Sequence, residues 1–194
     1  MKKSITVILC MLMLLSAGCM LPGPHTEPEP IETQAPEPVV TDAPAEPAEP
    51  AEPQTGAFNT EMIFSGTTLD GEPIDHTIFE NYDLIIVNCW AEWCGPCVGE
   101  LPEIERIHQE YPNVLILGVL IGTNSVVAAK ATLSDCGVTY PALEPVGGLI
   151  ALSQRSMYIP ATYFFDKNGD EIGGEVIGSM DYDQWKATVD NLLG

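Results

Sequence analysis

Residues Asn88–Pro102, NCWAEWCGPCVGELP, hold two cysteines two residues apart, with Gly95 and Pro96 between them. The stretch that leads in, DLIIVNCW (83–90), is apolar and rich in β-branched residues. That is the pattern of a buried strand. Pro96 suits the first turn of a helix, where its missing N–H costs nothing. Strand, turn and helix in that order put Cys94 at the mouth of a helix. Free backbone N–H groups and the helix dipole there stabilise a thiolate, the species that attacks disulfides. Cys97, one turn in, can reach back and resolve the mixed disulfide. A metal clip is the competing reading of C-x-x-C. Zinc normally takes four ligands, often from a second such pair or from spaced histidines. This chain has no second C-x-x-C, and His76 and His108 stand alone. The expectation is therefore a reactive dithiol, with Cys94 the exposed nucleophile and Cys97 the buried resolver, and no metal or other cofactor.

The surrounding pattern is that of one α/β domain. EMIFSGTTLDGEPID reads as a short hairpin around Asp70-Gly71. The helix after the dithiol continues through EIERIHQEY, with Ile104, Ile107 and Tyr111 along one side and Pro102 inside it, where it should kink the helix. VLILGVLI is a second buried strand, SVVAAKATLSDCG a helix ended by Gly137, and GGLIALSQRSM a shorter helix. ATYFFDKNGDEIGGEVIG predicts a hairpin with Asn168-Gly169 in a type I′ turn. MDYDQWKATVDNLL closes the chain as a helix capped by Asp181. Strands that alternate with helices predict a sheet covered by helices on both faces. Cys89 lies in the first strand and reads as a small buried hydrophobe. Cys136 falls at a helix end, with no partner evident from the sequence.

WAEWCGPC strongly resembles the active site of thioredoxins, and Ile159-Pro160 before the strand ATYFF matches that family's cis-proline. Within the family, WCGPCxxExP resembles the TlpA/ResA-like branch of extracytoplasmic thiol–disulfide oxidoreductases. The resemblance covers nearly all of residues 58–194. It implies a thioredoxin fold with a central mixed sheet, an N-terminal β-hairpin extension and an inserted helix–strand unit before the cis-proline. It also implies reduction of disulfides in exported client proteins, and a membrane electron donor of the CcdA/DsbD type. Trp93, Gly95, Pro96, Ile159 and Pro160 fall at the positions that contact the client. Cytoplasmic thioredoxin has a buried aspartate where this chain has Asn88, which cannot take a proton from Cys97. Glu100 stands one helical turn beyond Cys97, on a neighbouring face. A partly buried carboxylate there would have a raised pKa and suit general base work. The plainer reading of Glu100 is an acid favoured near a helix N-terminus. Two other readings carry less of the pattern. A peroxidase of the peroxiredoxin kind would need a Pro-x-x-x-Thr-x-x-Cys setting, which is absent. A lipoprotein that only binds clients would need no nucleophile.

The first 56 residues are a different kind of chain. Lys2 and Lys3, the apolar run Ile5–Leu15 and the small residues Ser16, Ala17 and Gly18 form a secretory signal, residues 1–18. LLSAGC resembles the lipobox of bacterial lipoproteins, which implies cleavage before Cys19 and a diacylglycerol on its sulfur. An ordinary signal peptide with an incidental cysteine is the alternative. Residues 19–56 follow as a Pro- and Glu-rich segment with no Lys or Arg. It buries too little apolar surface to order itself and reads as a stalk with a reach on the order of 100 Å. Residues 57–194 form the thioredoxin-like domain. The chain carries a formal charge of −21. The domain alone has 20 acidic residues against Arg106, Lys130, Arg155, Lys167 and Lys186. Such a surface repels phosphate backbones, which argues against nucleic acid as a partner.

Overall fold

The computed structural model describes residues 57–194. The signal, Cys19 and stalk expectations lie outside the described residues. Asn59 opens the domain by capping a single 3-10 turn, Thr60–Met62. The first hairpin pairs β1 (Ser65–Thr67) with β2 (Pro73–Asp75) in antiparallel register. A longer 3-10 segment, His76–Asn81, is capped by Asp75 and leads to the main sheet.

That sheet is built on β3 (Leu84–Trp90), in which every residue is buried. α1 (Gly95–Glu110), β4 (Val114–Leu120), α2 (Val126–Asp135) and β5 (Ala142–Leu143) follow. α3 (Gly148–Ser153), β6 (Ala161–Phe165), β7 (Val176–Ile177) and α4 (Tyr182–Leu193) complete the domain. The five strands lie in the order β5-β4-β3-β6-β7. β3, β4 and β5 are parallel, whereas β6 runs antiparallel to both β3 and β7. This is the mixed sheet of a thioredoxin fold, with α2, β5 and α3 filling the expected insertion between β4 and β6.

Strand alternation divides the core in two. Leu84, Ile86 and Trp90 face a cluster with Leu101, Ile104 and Ile107 of α1 and Trp185 and Val189 of α4. Ile85, Val87 and Cys89 face the opposite way, onto Phe64, Phe79, Leu149 and Leu152. One face is thus covered by α1 and α4, and the other by α3 and the N-terminal hairpin region. Cys89 lies on the face away from the dithiol, where burial pushes its thiol up to about 12.

One local signal is accommodated within a helix, and another resolves differently from the sequence pattern. Pro102 removes the amide that the Val98 carbonyl would accept in α1, yet the helix runs unbroken from Gly95 to Glu110. The Cys136 thiol lies against that freed carbonyl at 3.8 Å. The second hairpin forms, but not with Asn168-Gly169 at the centre of a type I′ turn. The Gly169 amide donates to the Asp166 carbonyl at 3.0 Å, which makes Lys167 and Asn168 the central pair. Gly169 follows at φ +79°. The Asp166 carboxylate decides this, because it accepts the amides of both Asn168 and Asp170. A side-chain acceptor inside the turn competes with the two-residue hairpin geometry.

Candidate active site

Cys94 and Cys97 are joined as a disulfide at the start of α1. Cys94 is the N-cap residue, and its Sγ accepts the Cys97 amide at 3.3 Å. Gly95 and Pro96 form the exposed first turn. Cys94 keeps 6% of its surface exposed against 1% for Cys97. In the disulfide both cysteines are therefore buried, Cys94 slightly less deeply than Cys97. What covers Cys94 is the loop before β6. Ile159-Pro160 is a cis peptide, and the Ile159 carbonyl oxygen lies 3.7 Å from Cys94 Sγ. Pro160 is buried and Ile159 half-buried. The backbone at Ile159 therefore meets the dithiol although it lies 65 residues beyond Cys94 in the chain.

Trp93 is 57% exposed beside Cys94. Its indole N–H donates to the Gly122 carbonyl at 2.8 Å, and the Glu92 carboxylate accepts the Asn124 amide at 2.9 Å. The loop after β4 thus holds the approach to the dithiol from both residues. Met157 and Tyr158 stand 89% and 69% exposed just before Ile159. Exposed large apolar side chains next to Cys94 and next to Ile159 are of the kind that make contact surfaces. Sequence reading had singled out Trp93 but not Met157 or Tyr158, which carry no motif of their own.

Glu100 lies beneath this surface, 1% exposed. Its Oε1 accepts the Met180 amide at 2.7 Å and the Trp185 indole at 3.1 Å. Its Oε2 receives only a longer contact from Asn88 Nδ2, at 3.4 Å. Asn88 Nδ2 also donates to Thr162 Oγ1 at 3.0 Å. Burial pushes the Glu100 carboxyl up to about 7, against the pull of those three donors. Glu100 is thus buried among donors from β3, α4 and the residue before the α4 cap. The Asn88, Thr162, Met180 and Trp185 contacts were not foreseen. A lone polar residue in the all-apolar strand 84–90 was the one signal that could have flagged Asn88. Among the described residues, no group of three or more His, Cys, Asp or Glu is placed to hold a metal ion.

A family model described as the AhpC/TSA family matches residues 59–170, which is more than half of the chain. The chain belongs to the AhpC/TSA family. Within the AhpC/TSA family it is ResA-like. It is 29% identical over 128 residues to the thiol-disulfide oxidoreductase ResA of Oceanobacillus iheyensis, covering 62% of this chain and 65% of that protein. It is 31% identical over 88 residues to the thioredoxin-like protein YneN of Bacillus subtilis, covering 44% of this chain and 51% of that protein. The chain thus spans between half and two thirds of the length of these curated relatives. Among solved structures, a thiol:disulfide interchange protein of the thioredoxin family from Chlorobium tepidum superposes with a TM-score of 0.62. That match covers 72% of this chain and 99% of the other, at 23% identity, and it shows the shared fold.

Proposed function

We propose that this protein is a thiol–disulfide oxidoreductase that reduces disulfides of exported client proteins through Cys94 and Cys97. The observation that carries the reading is the C-x-x-C disulfide capping a helix against the loop of a cis-proline. In the reduced protein, the Cys94 thiolate attacks a client disulfide. One client sulfur leaves with the electron pair, and a Cys94–client disulfide forms. The Cys97 thiol then loses its proton, and its sulfur bonds to Cys94 Sγ. The second client sulfur leaves, so the client gains two electrons and the protein is left with its own disulfide. Trp93, Gly95, Pro96, Ile159 and Pro160, with Met157 and Tyr158 beside them, receive the client. Glu100 takes the Cys97 proton. Its support is a position one turn beyond Cys97 and a carboxyl poised near neutral pH.

The place of work is part of the same proposal. The N-terminal signal, a lipid on Cys19 and the stalk to residue 56 would hold the domain outside the cytoplasm on the membrane. A membrane donor of the CcdA/DsbD type would return the dithiol to its reduced state. Among the described residues, no helix is long and apolar enough to cross a membrane.

Oxidised insulin is a suitable probe. Cys97→Ser should trap a covalent adduct between Cys94 and an insulin chain, visible by mass and released by dithiothreitol. Trapping by Cys94→Ser instead, or by neither variant, would remove the proposed roles of the two cysteines.

A further inference from the structure

The segment that brings Ile159 to the dithiol is fixed at both ends. α3 stops at Ser153 and β6 begins at Ala161, so residues 154–160 join them. One fixed end is the cis Ile159-Pro160 peptide, with the Ile159 carbonyl oxygen 3.7 Å from Cys94 Sγ. The other is Arg155. Its guanidinium donates twice to the Glu171 carboxylate, Nη1 to Oε2 at 2.5 Å and Nη2 to Oε1 at 2.7 Å. Its Nε lies 3.6 Å from Glu175 Oε2. The same guanidinium lies over the Tyr163 ring, 4.8 Å from the ring centre.

All three partners belong to the β6–β7 hairpin. Tyr163 is fully buried in the middle of β6. Glu171 forms a bridge with Phe165, and Glu175 directly precedes β7. Arg155 therefore ties the segment to the strand that the chain is about to enter. Arginine suits this place, because its planar fork meets both oxygens of a carboxylate while its face rests on an aromatic ring. Lysine offers a point charge and no fork. The hydrogen bonds from Arg155 hold the Glu171 carboxyl below its ordinary value, so the pair is charged at neutral pH. Both side chains are partly exposed, and the pair adds little to the stability of the whole domain. Its effect is on the path of residues 154–160.

Between the fixed ends the chain turns at Ser156. The Ser156 hydroxyl accepts the Tyr158 amide at 3.1 Å and donates to the Tyr158 carbonyl at 2.9 Å. Met157 lies inside this turn and Tyr158 closes it, and both side chains stand in solvent. The next residue, Ile159, is the one that touches Cys94. Side chains on a loop that is already fixed bind at a smaller ordering cost than side chains on a loose one. A polypeptide client has side chains that can pack on Met157 and Tyr158. A small disulfide has none.

We propose that Arg155 is a positioning residue for client binding: by tying residues 154–160 to the β6–β7 hairpin it presents Met157 and Tyr158 next to Ile159, and so favours polypeptide disulfides over small soluble ones. The proposal rests on the reading of Cys94 and Cys97 as a dithiol that reduces polypeptide clients. Arg155 touches neither sulfur and acts through the loop.

Two substrates test this: insulin at varied concentration with dithiothreitol as the reductant, and Ellman's disulfide mixed with the reduced protein. Arg155→Ala should raise the insulin KM about fivefold with kcat unchanged. Its rate with Ellman's disulfide should equal that of the wild type. Arg155→Lys, which keeps the charge and loses the fork, should give a KM between the two. Met157→Ala should raise the insulin KM in the wild-type background and add little in the Arg155→Ala background, where the loop has already lost its placement. Hydrogen exchange followed by NMR reads the loop itself. The Tyr158 amide should exchange faster in Arg155→Ala, while the amides of β6 exchange as in the wild type. An unchanged insulin KM in Arg155→Ala overturns the proposal, and so does unchanged exchange at Tyr158. An equal loss of rate with insulin and with Ellman's disulfide also overturns it, because the damage then lies at the dithiol. A wild-type protein that reduces Ellman's disulfide and not insulin overturns the client reading itself.

Discussion

Glu100 contributes to stability in a way that follows from its surroundings. Its carboxyl ordinarily titrates at 4.5 and here at about 7. Below about pH 4.5 it is protonated in the folded and the unfolded chain alike. Between the two values the folded chain keeps a proton that the unfolded chain has lost, so stability falls as pH rises. Above about 7 the loss is complete, on the order of 3 kcal/mol. Glu100→Gln removes this titration. Urea unfolding from pH 4.5 to 8 should show the variant gaining about that amount on the wild type; parallel curves would mean that Glu100 has an ordinary pKa. The dithiol and the cis-proline were legible because each is a short motif on consecutive residues. Glu100 was legible as a candidate from its spacing to Cys97. Its donors were not, since Met180 and Trp185 lie 80 and 85 residues further along the chain.

α4 matters to the site through its first turn. Asp181 accepts the Gln184 amide at 2.9 Å, and the Gln184 side chain accepts the Asp181 amide at 3.0 Å, a complete capping box. The residue before the cap is Met180, whose amide donates to Glu100. Asp181→Ala should cost about 1 kcal/mol of stability. It should also loosen the Met180 donor and move the Glu100 titration above about 7, as followed by carboxyl carbon NMR; an unmoved titration would show that the cap and the carboxylate are independent. The same contrast governs what could be read ahead. α4 and α2 carry cap residues, and β3 and β4 are apolar over seven residues but for Asn88, so local signals specify them. β5 and β7 are two residues each and have no periodicity. Their places at the two sheet edges depend on pairing with β4 and β6. The turn at 166–169 was misread because a side-chain acceptor, Asp166, overrode the dipeptide signal. Glu105 is a similar long-range tie: its buried carboxylate accepts the Thr139 amide and hydroxyl and fixes α1 to the segment before β5.

Among the described residues the acids lie at the surface, apart from the buried Glu100 and Glu105. Four of the five cations of the domain sit in ion pairs with acids, at Arg106–Glu103, Lys130–Asp70, Arg155–Glu171 and Lys186–Asp190. These pairs are partly or largely exposed and each stabilises little. If a lipid on Cys19 holds the chain on the membrane, Cys19→Ala should release it to the soluble fraction with its activity on a soluble disulfide unchanged. Firm retention of that variant would refute the anchor. The dithiol itself is most directly tested by the turnover of insulin disulfides with dithiothreitol as the reductant. The wild-type protein should accelerate chain separation well above the dithiothreitol background, while Cys94→Ser and Cys97→Ser each return the rate to that background. A wild-type rate no faster than the background, or a Cys94→Ser variant as active as the wild type, would contradict the proposed exchange at Cys94 and Cys97.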